Sequence, residues 1–172
     1  MECLPPAAIA EATVKTGKKK TDLSIIQMVV LGLLAGVYIG FGSQLFTLVT
    51  CDLSQFVGFG LSKLIGGLVF SIGLILVVLC GAELFTGNSL IAVAAFAHQA
   101  SWNRVLRNWF LVYVSNFAGS LLLAFLLFGA RQYGMGGNAV GVSALKVAVA
   151  KVNIPFWAAF CRGILCNWLV CL

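Results

Sequence analysis

From Leu64 to Ala97 the chain runs through an apolar stretch in which Glu83 is the only charged residue. Continuous helix over these about 34 residues would reach about 50 Å, well beyond a hydrocarbon core of about 30 Å, whereas two full spans and a turn need more than about 40 residues. The run is therefore predicted to be one span interrupted once. The interruption is readable at Gly81-Ala82-Glu83-Leu84-Phe85-Thr86-Gly87-Asn88, where glycines bracket the polar side chains and Gly87-Asn88 favours a turn. Irregular backbone at membrane depth survives only where protein or a watery cavity satisfies its polar groups, and broken helices of this kind recur along transport routes. The expectation is a long first segment, a loop over 81–88, and a second helix from about Asn88 to Gln99. Thr86 or Asn88 would cap that helix, with its first amides facing an anion. A glycine kink that serves packing alone is the competing reading.

The other apolar runs fit the same solvent. Spans are predicted at 25–49, 107–130 and 156–172, with 54–62 as a connection and 131–153 as an external loop carrying a short helix near Val142 to Val152. With 61% hydrophobic and 9% charged residues, the chain has too few charges to cover a soluble surface. Gly32, Gly36 and Gly40 form a small-residue stripe for close helix packing. Ser115, Asn116 and Gly119 are read as packing residues on the third span. Lys15, Lys18, Lys19 and Lys20 precede the first run, and with them the net charge of +6 places the N-terminal segment 1–24 in the cytoplasm as a solvated leash near anionic lipid. Pro5, Pro6 and Glu11 ahead of that cluster do not suit a cleavable signal peptide, and no basic groove suggests nucleic acid. Cys161, Cys166 and Cys171 recur every five residues, so they cannot share a helix face. With no C-x-x-C pair, neither a metal site nor a cofactor is expected. Arg162 should snorkel or face protein.

Two segments resemble motifs of the formate/nitrite transporter family. Cys80-Gly81-Ala82-Glu83-Leu84-Phe85-Thr86-Gly87-Asn88 is similar to the family signature, and Gly163-Ile164-Leu165-Cys166-Asn167-Trp168-Leu169-Val170-Cys171-Leu172 to its fourth-span motif. The resemblance implies an all-α integral membrane protein. Its expected form is an aquaporin-like multi-span helical bundle with a broken second span, with this sequence ending in the fourth. It further implies a multi-pass protein of the cell (inner) membrane, assembled as a homopentamer when complete, with one pore per protomer. The species handled would be a small monovalent anion, most simply formate, together with a proton; nitrite and hydrosulfide are the alternatives within the family. By the same resemblance, Thr86 contacts the anion near the pore centre, Leu84 and Phe85 flank the inner constriction, and Phe70 narrows the outer side. Lys151 and Asn167 match the vestibule lysine and the fourth-span asparagine. Glu83, Gly81, Gly87 and Asn88 support the loop. The family's central histidine is not matched by His98, which is read as interfacial.

Two rivals belong to other classes. A membrane-bound redox enzyme would call for paired histidines, C-x-x-C or clustered carboxylates, none of which appears. An inactive truncated membrane protein is the other, since the sequence stops on Val-Cys-Leu without a polar flank, and the expectation is that these 172 residues alone do not transport.

Overall fold

The computed structural model describes residues 5–171. Helix α1 (Pro6–Thr21) lies against one end of a bundle built from α2 (Ile25–Thr50), α3 (Ser54–Leu79) and α6 (Trp102–Gly129). Between α3 and α6 run two short helices, α4 (Phe85–Asn88) and α5 (Ala92–Phe96), joined by a 3-10 turn over Ser89–Ile91. Helix α7 (Ala139–Val152) follows at the opposite end, and α8 (Phe156–Val170), bent from it by 107°, runs back to α4. Among the described residues three helices, α2, α3 and α6, are long and apolar enough to cross a membrane; the bent α7–α8 pair is a broken span or a re-entrant element.

Local chemistry explains the start of α2. The Ser24 hydroxyl accepts from the Gln27 amide at 3.2 Å, and the Gln27 side chain accepts from the Ser24 amide at 2.9 Å, a reciprocal cap that fixes the entry into the first span. Helix α2 is the central element and packs on both α3 and α6. On the α6 side the contact is backbone against backbone: a Cβ added to Gly36 would sit 2.1 Å from the Asn116 carbonyl oxygen, and one added to Gly119 would sit 2.1 Å from that of Leu33. Such proximity is open only to glycine, and it brings α6 side chains within reach of α2 carbonyls.

The structure departs from the sequence expectations at three places. Residues 54–62 are not a connection but the first turns of α3, and the irregularity their glycines suggest is confined to Gly58, at φ +78°. The N-terminal segment is not a solvated leash. It forms α1, started by Pro5 and Pro6 and held down at Gly17, where Ala94 and Ile91 pack so closely that a Cβ would approach Ala94 to 3.0 Å. The interruption of the second span covers residues 80–84 rather than 81–88, so Phe85 to Asn88 are helical and the second segment starts at Phe85 and ends at Phe96.

Candidate functional site

The interruption begins with a helix stop built from local rules. Gly81 takes φ +65°, its amide donates to the Val78 carbonyl at 3.3 Å, and the Ala82 amide donates to the Val77 carbonyl at 2.9 Å. This is the paired arrangement that ends a helix on a left-handed residue, and the accompanying apolar contact is present, because Val77 and Ala82 are buried together against Ala35. The chain then leaves the helix, and its next amide, that of Glu83, donates to the Leu31 carbonyl of α2 at 3.2 Å.

Asn116 of α6 satisfies what remains. Its side-chain oxygen accepts from the Phe85 amide at 2.9 Å, and its nitrogen donates to the carbonyls of Gly32 at 2.8 Å and Glu83 at 2.9 Å. One amide side chain therefore ties the downstream end of the gap to both α6 and α2, the condition for breaking a helix away from water. Neither Thr86 nor Asn88 caps α4: the N-cap position is Leu84, without a side-chain bond, and the Phe85 amide is already occupied by Asn116.

Below the gap lies a buried polar cluster. The Glu83 carboxylate, in a residue 5% exposed, meets the Lys20 ammonium of α1 at 3.1 Å and accepts from the Asn88 amide group at 2.7 Å. Asn88, fully buried, accepts from Lys20 at 2.8 Å and donates to the Asn108 side-chain oxygen at 2.9 Å. Asn108 in turn donates to the Lys20 carbonyl, and the Trp109 indole donates to the Asn88 carbonyl. Every member has partners, so a charged pair is tolerated in an apolar setting, and α1 is locked to the broken span through it.

The residues singled out from sequence fall into two groups. Gly81, Glu83, Leu84 and Gly87 line a cavity of about 320 Å³ that Lys20 of α1 and Val170 of α8 also line. Phe85 beside it packs edge-on against Tyr113, with ring centroids 5.3 Å apart. Thr86 is half-buried; its carbonyl accepts from the Ser89 hydroxyl, while its own hydroxyl bonds no described residue. The Cys171 thiol lies 3.2 Å from the Ser89 hydroxyl and 3.6 Å from the Thr86 carbonyl, so α8 reaches the broken segment.

Phe70 and Lys151 form the second group. They line a cavity of about 670 Å³ between α2, α3 and α7, together with Ser43, Phe46, Thr47 and Lys63. Asn167 joins neither group, because its side chain donates back to the Gly163 carbonyl of its own helix at 3.0 Å. Arg162 is exposed and makes no ion pair among the described residues. No cluster of potential metal ligands occurs among the described residues.

Residues 7–172 match the formate/nitrite transporter family. The chain belongs to that family. It is 36% identical over 171 residues to the formate channel FocA of Escherichia coli, covering 99% of this chain and 60% of that protein. With the uncharacterized transporter YrhG of Bacillus subtilis it shares 39% identity over 176 residues, covering 97% of this chain and 62% of the relative. A solved pentameric formate channel with formate bound superposes at TM-score 0.76 with 35% identity, over 86% of this chain and 57% of that one. A further solved structure, an FNT family ion channel, gives TM-score 0.78 at 28% identity, over 96% and 66%. The chain thus spans about 60% of the length of the curated relatives it matches. Its all-helical architecture with a broken second span is the fold of these channels, and the protein is a multi-pass membrane protein.

Sequence reasoning missed Asn108 and Lys63, and it read Lys20 as part of a solvated cluster and Asn116 as a packing residue instead of as partners of the break. A signal for the two asparagines existed. A polar amide in a span rarely goes unpaired, and a broken helix nearby needs the donors and acceptors that Asn116 carries.

Proposed function

We propose that this chain builds part of a pore for small monovalent anions, formate foremost, in the cell membrane. The observation that carries the reading is the break at 80–84, held open by Asn116 beside a Thr86 hydroxyl with no described partner. Dehydrating a monovalent anion costs far more than one hydrogen bond returns, so a usable path must gather the anion first and then offer donors where the channel is narrow. In this reading Lys151 gathers it and Phe70 narrows the entrance. Leu84 and Phe85 form the inner constriction, and Thr86 supplies a donor there. Asn167 acts once its side chain turns away from Gly163. Glu83, Asn88, Gly81 and Gly87 hold the segment in shape. A proton taken up in transit neutralises a weak-acid anion and lowers the remaining barrier.

Family membership and the resemblance to a pentameric channel with formate bound support formate as substrate and a homopentamer as the assembly. Because the family handles nitrite as well, nitrite is the second reading. The relatives and structural neighbours are channels and transporters, which supports a function without catalysis.

The test is flux of labelled formate into proteoliposomes, with the chain extended to the length of its relatives. Thr86→Val keeps volume and removes the hydroxyl. We expect it to reduce formate flux at least about tenfold, the weight of about 1.4 kcal/mol, with assembly intact by size-exclusion chromatography. Unchanged flux removes Thr86 from the pathway. Nitrite in excess should compete with formate; nitrite uptake with no formate uptake would make nitrite the substrate.

A further inference from the structure

We propose that Lys63, which neither the family resemblance nor the motif reading singles out, forms with Lys151 a two-cation docking site for a monovalent carboxylate at the mouth of the pathway. The inference deepens the function proposed above and rests on it for the direction of travel. It starts from the cavity of about 670 Å³, which Lys63 of α3 and Lys151 of α7 line jointly with Phe70. The Lys63 ammonium lies 5.4 Å from the Phe46 ring centroid and 5.5 Å from that of Phe59. Aromatic faces attract a cation without neutralising it and displace part of its water, so the charge is both held in place and left available.

Among the described residues no carboxylate pairs with either lysine. The ion pairs among the described residues are Lys20 with Glu83 and Arg104 with Asp22, both at the opposite end of the bundle. Asp52, the acidic residue at the same end, accepts from the Cys51 thiol and pairs with neither lysine. Two uncompensated ammonium groups facing one partly apolar space repel each other, and an anion between them reverses the sign of that interaction. Ser43 adds a hydroxyl donor on the same wall, whereas the Thr47 hydroxyl already donates to the Ser43 carbonyl at 2.9 Å. The chemistry that fits is one negative charge on a small planar group with two acceptor oxygens.

Lysine acetylation read by mass spectrometry tests the site without depending on flux. The purified protein is treated with acetic anhydride under rising sodium formate, at ionic strength held constant with a bulky sulfonate. Lys63 and Lys151 should be protected together, with one shared half-protecting concentration, while exposed Lys146 on the same helix as Lys151 is not. Lys63→Gln should raise the concentration that protects Lys151 about threefold or more, and Lys63→Arg should restore it. In the flux assay, Lys63→Gln should raise the half-saturating formate concentration and leave the maximal rate unchanged. Protection of Lys151 alone, or an equal response to formate with and without Lys63, overturns the two-lysine site and leaves the pore reading intact. Joint protection in the chain extended to the length of its relatives, with no formate or nitrite flux from that same chain, would keep the site and sink the pore reading instead.

Discussion

Lys20 and Asn116 hold the broken span from opposite sides, one through charge and the other through hydrogen bonds. The Glu83 carboxylate is buried and its one cationic partner comes from α1, so removing Lys20 leaves a charge in an apolar place, while Asn88 alone supplies a donor. Loss of one member of a buried pair costs about 3–5 kcal/mol. The Lys20 side chain is 28% exposed and water offsets part of that, so Lys20→Met should destabilise the detergent-solubilised protein by about 2 kcal/mol. Adding Glu83→Gln removes the orphaned charge and keeps an acceptor for Asn88, and the double variant should recover much of the loss in a thermal-unfolding assay. A double variant no more stable than Lys20→Met would show that the pair contributes through something other than charge. Asn116→Leu acts differently, because it strips the acceptor from the Phe85 amide and a donor from the Glu83 carbonyl. Hydrogen exchange at Phe85 should speed by at least about tenfold, with Val112, about one turn before Asn116 in α6, unaffected.

At the level of elements, the α2–α6 contact sets the geometry that Asn116 needs. Gly119→Ala would place a Cβ 2.1 Å from the Leu33 carbonyl oxygen, and neither backbone can yield without parting the helices. Overpacking of this kind costs about 1–3 kcal/mol, and the variant should lower the unfolding midpoint while Gly129→Ala, with open space around it, should not. The small-residue stripe and the existence of a break were legible in the sequence because both follow from periodicity and length. The limits of the break were not. Gly87-Asn88 reads as a turn by local propensity, yet Asn88 is fully buried and spends its side chain on Glu83 in the gap and on Lys20 of α1 and Asn108 of α6, and the last two contacts carry no local signature. Ser54 to Ser62 misled for the converse reason, since its serines and glycines suit a connection while one left-handed residue, Gly58, is all the kink that α3 requires. Phe70 and Lys151 stand 81 positions apart and meet only because α7 folds back over α2 and α3.

The whole molecule is asymmetric in charge along its long axis. Lys15, Lys18, Lys19 and Lys20 of α1 and Arg104 and Arg107 at the start of α6 cluster at one end, where Arg104 pairs with Asp22 and Arg107 donates to the Thr21 carbonyl. At the other end stand Lys63, Arg131, Lys146 and Lys151. Between them the outward surface is apolar, with Ile26, Phe110 and Phe125 each more than 60% exposed, as a lipid-facing band requires. The excess of basic residues near the start of the first span biases that end toward the cytoplasm. Aromatic anchoring accompanies it, since Phe96 and Trp102 pair edge-on at that boundary, Phe96 72% and Trp102 44% exposed. Orientation is then testable by labelling. Lys18→Cys and Lys146→Cys place thiols on exposed positions of α1 and α7, at opposite ends of the bundle. In intact cells a membrane-impermeant maleimide should modify Lys146→Cys above the parent protein's background and leave Lys18→Cys at that background until the cells are lysed. The reverse pattern would put α1 outside and the Lys63–Lys151 cavity inside, and would invert which mouth of the pathway gathers the anion.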